Sequence, residues 1–126
     1  MTLDTRHKII TLDQARVLPR DPASIAFVSP MEVLRASHIR KLEELASQAA
    51  GKLFVILTEP EAPLVPLQAR AEVAAGLRVV DYVIPSPDGA GPALAAILPG
   101  LIVNDEEEDR GRTRQLVEHV RSRSRI

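Results

Sequence analysis

Residues 53–84, LFVILTEPEAPLVPLQARAEVAAGLRVVDYVI, contain the pattern that decides the fold. The stretch opens with five consecutive apolar residues, 53–57, which is typical of a buried strand covered on both faces. A proline-rich loop follows at 59–66, a helix is predicted over 67–77, and a second apolar strand is predicted over 79–84. A strand, a helix and a second strand in this order predict parallel strands joined by a helical crossover.

The rest of the chain repeats this alternation. We predict further strands at 24–28 and 101–103, and helices at 12–18, 31–49, 92–98 and 112–121. The alternation predicts an α/β fold of the Rossmann-like type, a doubly wound parallel sheet in a three-layer α/β/α sandwich. The 126 residues suit one domain, with residues 1–7 as a loose tail. Ligands of such sheets bind beyond the carboxyl ends of the strands.

Composition restricts the function classes. The chain has no cysteine, which excludes disulfides, thiolate zinc sites and a cysteine nucleophile. The net charge of −1 and the three aromatic residues argue against nucleic acid as a partner. No apolar run approaches the roughly 18 residues of a membrane helix, and the polar N-terminus does not resemble a signal peptide. We therefore expect a cytoplasmic protein without a membrane partner.

Several stretches together resemble the cytidylyltransferase-like nucleotidyltransferase domain of ADP-heptose synthase. Pro66, Arg70 and Val80-Asp81-Tyr82-Val83 match a proline-led helix with a binding arginine, followed by a VDxV strand. Residues 94–103, LAAILPGLIV, are similar to the family's ILPDLLVKGGDY region. Residues 24–46 align without gaps with the stretch that ends in the family's histidine signature and its following helix. The resemblance covers nearly the whole chain and implies the same fold.

The resemblance also implies a reaction and its cofactors. Enzymes of this family join a nucleotide to a sugar phosphate and release pyrophosphate, so the resemblance implies ATP or CTP with Mg²⁺ and a phosphorylated small molecule as partners. It implies a homodimer as well. The family places a glycine-containing turn, an FD pair and an HxGH motif around the α-phosphate, where backbone N–H groups and histidines stabilise negative charge.

The family signature is degenerate in this chain. Ser29 stands at the position of the glycine, and Met31 and Glu32 replace the FD pair. HxGH becomes Arg35-Ala36-Ser37-His38, which retains only the second histidine. The loop at 59–66 is acidic where the family is basic, and Asn104 begins an acidic run where the family has a lysine and two glycines. These replacements predict weak or lost catalysis.

Seven residues are nevertheless candidates for the site. His38 and Arg35 are the candidate catalytic residues, because imidazole and guanidinium groups both bind phosphate. The candidate nucleotide-binding residues are Ser29, Ser37, Arg70, Arg112 and Thr113, the last two at the expected N-terminus of the final helix. Each has a simpler alternative: a helix cap, a surface ion pair or a satisfied core histidine. In particular, Ser29-Pro30-Met31-Glu32 fits a capping box that would start the helix early, or else a retained loop with altered side chains.

The acidic run 105–109 and the six arginines between 110 and 125 leave two interpretations open. They are typical of a solvated turn followed by a charged surface helix, or the arginines bind phosphate. Glu106, Glu107 and Asp109 could hold Mg²⁺, but consecutive acids in a loop usually face water, so no metal site is predicted. Three functions remain: a weak nucleotidyltransferase, a non-catalytic nucleotide or sugar-phosphate binder, and a protein-partner module on the same scaffold.

Overall fold

A computed structural model of the chain describes residues 4–123, apart from the side chains at positions 112, 122 and 123. Four parallel strands form one sheet in the order β3-β2-β1-β4: β1 (Ile25–Ser29), β2 (Leu53–Thr58), β3 (Tyr82–Ser86) and β4 (Leu101–Asn104). The α-helices are α1 (Leu12–Arg16), α2 (Ala36–Gln48), α3 (Leu67–Ala75), α4 (Gly91–Ile97) and α5 (Glu106–Arg123). The α/β class and the parallel sheet predicted from the sequence are confirmed.

The strands alternate between two separate cores, one on each face of the sheet. Phe27 of β1 packs with Leu42 of α2 and Ala71 of α3, whereas its neighbour Val28 packs with Ala93 of α4 and Ala15 of α1. Because both faces of the sheet are covered, every residue of β1 and β2 is buried, which explains why these strands are continuous apolar runs. The result is the predicted three-layer, Rossmann-like arrangement.

The strand order places a topological switch between β1 and β4. The chain runs from β1 outward to β3 on one side, and then returns to add β4 on the other side of β1. The carboxyl ends of these two strands stay adjacent: Val28 is level with Asn104, and the Asp105 amide donates to the Val28 carbonyl over 2.8 Å. This is where open α/β sheets bind ligands.

Strand β3 begins at Tyr82, three residues later than predicted. The Asp81 carboxylate accepts the Leu53 amide over 2.8 Å, and the Asp81 amide donates to the Leu53 carbonyl over 3.0 Å. The Asp81 side chain thus takes the place of a backbone acceptor, and regular pairing of β2 with β3 starts one residue later, at Phe54 and Tyr82. The strand extends to Ser86 through Pro85, which an edge strand tolerates because its amide is not needed there.

The two helices next to the switch also begin elsewhere than predicted. Helix α2 starts at Ala36, and the capping box at Ser29 does not form, because Met31 has a left-handed φ of 44° and the Ser29 hydroxyl accepts the Met31 amide. Of the two alternatives, the loop is the one observed. Helix α5 starts at Glu106, six residues before the predicted start, so the acidic run forms its first turn. Acidic side chains there interact favourably with the helix dipole.

The N-terminal segment contains a 3-10 helix, Arg6–Lys8, and the Lys8 ammonium donates to the Leu77 carbonyl over 3.1 Å. Residues 1–3 of the predicted loose tail lie outside the described residues. Within residues 4–123, no helix combines the length and apolarity needed to cross a membrane.

Candidate functional site

Four of the predicted site residues come together at the switch between β1 and β4. Ser29 ends β1, Arg35 and His38 lie at the start of α2, and Thr113 faces them from α5. Helix α5 contributes the partner that joins them, Asp109, whose side chain is 1% exposed. The candidate site is therefore a buried polar cluster rather than an open phosphate loop.

Both ring nitrogens of His38 are engaged. Nδ1 accepts the backbone amide of Arg35 over 3.0 Å, the N-terminal cap of α2. Nε2 lies 2.8 Å from Oδ1 of Asp109. Because Nδ1 accepts a hydrogen, the proton of the neutral ring must lie on Nε2, which donates to Asp109. No ring nitrogen is left to act as a base or to bind a phosphate.

Arg35 is bound to the same carboxylate. Its Nη1 lies 3.5 Å from Asp109 Oδ1, and its Nη2 donates to the Thr113 hydroxyl over 3.3 Å. The side chain is 21% exposed, so Arg35 is only partly buried, unlike Asp109. The two cationic or hydrogen-donating groups expected to meet a phosphate are thus both held by one internal carboxylate.

Thr113 and Arg112 do not lie at a helix N-terminus, as the sequence predicted. Since α5 begins at Glu106, both residues lie about two turns into the helix, where their amides are in intrahelical positions. Thr113 is 8% exposed and accepts from Arg35. The side chain of Arg112 is outside those described.

Arg70 is buried in a separate set of contacts. Its Nη1 donates to the carbonyls of Pro30 (2.7 Å) and Thr58 (2.9 Å), and Nε donates to the Val65 carbonyl over 3.0 Å. Nη2 completes the set by pairing with Glu59. With the side chain only 1% exposed, this arginine ties the loop after β1 to the end of β2 and to both ends of the loop that follows β2.

Ser29, Ser37 and Asp105 complete the cluster's surroundings. The Ser29 hydroxyl lies 3.5 Å from Asp105 Oδ2, while Ser37 is a half-buried residue in the first turn of α2. Burial raises the pKa of Asp105 above its ordinary value; a side-chain hydrogen bond to Glu108 and the nearby Asp109 raise it further, while the nearby His38 opposes the shift. A hydrogen bond between two carboxyl groups favours the protonated form, which is why the Glu108 contact raises the pKa of Asp105.

Sequence reasoning missed Asp105 and Asp109 as the partners of these residues. Their spacing gives the signal that could have found them, because 105, 109 and 113 recur every four residues and occupy one face of a helix. That signal depended on starting α5 at its acidic run.

His38, Asp105 and Asp109 also form the one three-residue cluster among the described residues whose ligand-type atoms lie within 4.8 Å of one another. The hydrogen bonds do not fit a metal. A histidine that binds a metal through Nε2 normally donates its other N–H, whereas Nδ1 of His38 accepts one. The Arg35 guanidinium beside Asp109 adds a positive charge that repels a cation.

The carboxylates considered for Mg²⁺ do not share one environment either. Asp109 faces His38 and Arg35, Glu106 accepts from Thr58 (3.2 Å) and Arg110 (3.2 Å), and Glu107 is exposed. A magnesium site needs oxygens that converge on one octahedral position. The residues present do not fit this ion.

An open groove remains beside the cluster, between α5 and the loop 60–64. Its volume is about 500 Å³, and its walls carry both Arg110 and Arg114 and the acidic residues Glu32 and Glu61. The volume is sufficient for a small ligand. However, Arg110 already pairs with Glu106, so the groove offers a mixed charge pattern rather than a cationic one.

In comparisons with known proteins, no protein-family model matches the chain and no curated protein has a significantly similar sequence. The class of protein is thus defined by the structure alone: an α/β protein with a Rossmann-like sheet and a helix packed over its switch point.

Proposed function

We propose that this chain is a non-catalytic domain of the nucleotidyltransferase-like type, in which helix α5 closes the nucleotide site. The carrying observation is the position of the Asp109 carboxylate, bound to both His38 and Arg35. A bound carboxylate supplies the negative charge that a phosphate would bring to these groups. The resemblance around Pro66 and Arg70 supports the family assignment, and the structure's three-layer sheet is compatible with it.

The charges at the switch point also disfavour the binding of a triphosphate there. A triphosphate approaching the switch would meet Asp109 and Asp105 within the same cluster, together with the exposed acids at the start of α5. Two like charges about 4 Å apart repel by roughly 1 kcal/mol in water and more in a drier site. Arg70 offers no compensation, since all its donor groups that face the interior are already paired.

Catalysis would further require a group that stabilises the departing pyrophosphate. His38 is the surviving histidine of the signature, and both of its ring nitrogens are occupied. The site therefore gives less support to the alternative, an active nucleotidyltransferase. That alternative would require ATP or CTP with Mg²⁺ and a phosphorylated acceptor, and the family resemblance would make it a homodimer. We propose instead that the scaffold serves as a binding or partner module.

Thermal unfolding in the presence of ATP, CTP and each with Mg²⁺ tests the proposal. A nucleotide at a hundred times its dissociation constant would stabilise the domain by about 2.7 kcal/mol. We expect no shift at millimolar nucleotide and no pyrophosphate release. An upward shift with release would overturn the proposal and establish the enzyme.

A second candidate function is the binding of a phosphorylated small molecule in the groove beside α5. The groove's size and its exposed Arg114 favour this function. It predicts a thermal shift without pyrophosphate release, and loss of the shift in Arg114→Gln but not in Arg78→Gln, an exposed arginine outside that groove.

A further inference from the structure

A second cavity lies at the opposite end of the sheet, where the strands begin. Its volume is about 200 Å³, and its lining comes from the start of β2 and β3, the end of α4 and the segment that precedes β1. Its lining includes Phe54, Tyr82, Ile97, Lys52 and Asp21. Ser24, which precedes β1, lines this cavity, whereas Ser29, which ends β1, belongs to the polar cluster around Asp109. The two sites are therefore separated by the length of that strand.

The wall of the cavity is aromatic. Phe54 and Tyr82 are directly paired across β2 and β3, and their rings stack with centroids 5.2 Å apart and planes inclined by 24°. The whole chain contains three aromatic residues, so two of the three line this one cavity. Such a surface, extended by Ile97, accepts an apolar or planar group.

The rim carries two opposite charges that do not pair with each other. Lys52 is exposed, and its ammonium makes no hydrogen bond or ion pair with any described side chain. Asp21 uses Oδ1 to accept the Ala23 amide over 2.9 Å, which leaves Oδ2 without a hydrogen bond among the described residues. The cavity thus combines an apolar wall with one free cation and one free carboxylate oxygen.

The backbone next to Asp21 packs closely against two glycines. A Cβ atom added to Gly51 would lie 2.5 Å from Asp21 Oδ2 and 2.8 Å from the Ala23 backbone, so only glycine permits the observed approach. Gly100 has the same role beside Pro22, whose carbonyl oxygen would lie 1.7 Å from an added Cβ. The segment carrying the carboxylate is therefore fixed by backbone packing before any ligand arrives, which lowers the cost of binding.

We propose that this cavity binds a free α-amino acid with an apolar or aromatic side chain. The side chain would lie against Phe54, Tyr82 and Ile97, the ammonium group at Asp21 and the carboxylate at Lys52. The volume suits the side chain of such a ligand, because a cavity of about 150 Å³ holds benzene and the present one is about 200 Å³. The charges select a zwitterion, since a simple anion would leave Asp21 unpaired and a simple cation would leave Lys52 unpaired.

Tyrosine fluorescence provides a direct test. Tyr82 is the only tyrosine and the chain has no tryptophan, so the emission comes from the cavity wall. We expect L-phenylalanine and L-leucine to change the emission saturably. 3-Phenylpropionate lacks the ammonium and 2-phenylethylamine lacks the carboxylate, so each should bind about fivefold more weakly than L-phenylalanine. No saturable change at millimolar amino acid, or equal binding of either analogue, would overturn the proposal.

Charge variants test the same assignment without altering the fold. Lys52→Gln and Asp21→Asn should each weaken L-phenylalanine by about fivefold, and asparagine retains the acceptor for the Ala23 amide. Lys41→Gln and Asp88→Asn, exposed residues outside this cavity, are the matched controls and should bind as the parent does. Unchanged affinity in Lys52→Gln and Asp21→Asn would overturn the proposed recognition, with circular dichroism reporting that each variant is folded.

Discussion

Nε2 of His38 and Oδ1 of Asp109 lie 2.8 Å apart, and each side chain is only 1% exposed. The pair joins the first turn of α2 to the first turn of α5. On its other side the imidazole accepts the Arg35 amide, so one buried ring both caps α2 and anchors α5. Oδ2 of Asp109 is buried without a hydrogen-bond partner among the described residues, so the network is not fully satisfied. Removal of the carboxylate would nevertheless leave the buried N–H of His38 without its acceptor, which carries a high cost.

Removing the carboxylate should therefore destabilise the domain. We expect Asp109→Ala to lower the free energy of unfolding by about 3 kcal/mol, because it leaves the His38 N–H buried without an acceptor and removes the anionic partner of Arg35, which keeps only its bond to Thr113. Urea unfolding measures the change. Glu107→Ala, an exposed acid in the same helical turn, is the control and should cost less than about 0.5 kcal/mol. Equal effects in the two variants would show that the contacts of Asp109 with His38 and Arg35 do not stabilise the domain.

The tautomer of His38 is a separate prediction. Long-range ¹H–¹⁵N NMR correlations should show His38 with its proton on Nε2 and Nδ1 as an acceptor, as the Arg35 amide requires. His7, an exposed residue of the N-terminal 3-10 helix, provides an internal reference in the same spectrum. A proton found on Nδ1 would contradict the hydrogen-bond assignment and reopen His38 as a metal ligand.

Arg70 should act through stability rather than ligand binding. Lysine cannot reach the carbonyls of Pro30, Thr58 and Val65 at once, so we expect Arg70→Lys to reduce the free energy of unfolding by about 2 kcal/mol. Arg78→Lys, an exposed position following α3, is the matched control. A variant as stable as the parent would show that the buried guanidinium is not needed to hold the loops.

Asp105 gives a prediction about pH. Its pKa is raised in the folded state, so the native domain holds this proton more tightly than the unfolded chain does. The stability contributed by protonation is present at acidic pH and is lost as the pH rises through the raised pKa. We expect Asp105→Asn to raise the unfolding midpoint at neutral pH, since asparagine retains helix-capping ability without the charge.

The advantage of Asp105→Asn should shrink as the pH falls below the raised pKa, where the parent carboxyl is protonated as well. Thermal unfolding from acidic to neutral pH follows both proteins. Asp88→Asn, in an exposed loop, should change neither the midpoint nor its pH dependence. A midpoint of Asp105→Asn below that of the parent at neutral pH would show that the charged carboxylate is favourable in the fold.

The sequence was sufficient to predict the sheet, because its strands are continuous apolar runs and the helices between them have regular spacing. Phe27 and Val28 face different cores, as expected for a strand of a parallel sheet that is covered on both faces. The element boundaries near the site were less predictable. Asp81 replaced a backbone acceptor in the ladder, and the left-handed Met31 ended a capping pattern that the letters alone allow.

The site was only partly predictable for a related reason. His38, Arg35 and Thr113 were selected one by one from a resemblance to a phosphate site, whereas the residue that joins α2 to α5 is Asp109, four positions before Thr113 on α5. Asp109 is 71 positions from His38, so the spacing of 105, 109 and 113 can place Asp109 on one face of a helix but cannot identify His38 as its partner. Its charge suggested a solvated turn, since acidic runs usually face water. Packing of α5 over the switch point reversed that expectation.

Two glycines provide a matched test of how the backbone is packed. Gly111 lies inside α5 with no atom within 4 Å of an added Cβ, so Gly111→Ala should stabilise the domain by about 0.5–1 kcal/mol through lower chain entropy and better helix propensity. At Gly100 the same Cβ would lie 1.7 Å from the Pro22 carbonyl oxygen, so the backbone must move. We expect Gly100→Ala to destabilise by about 1–3 kcal/mol. Urea unfolding of both variants gives the signs, and a stabilised Gly100→Ala would mean that the segment preceding β1 packs less closely against β4 than the structure indicates.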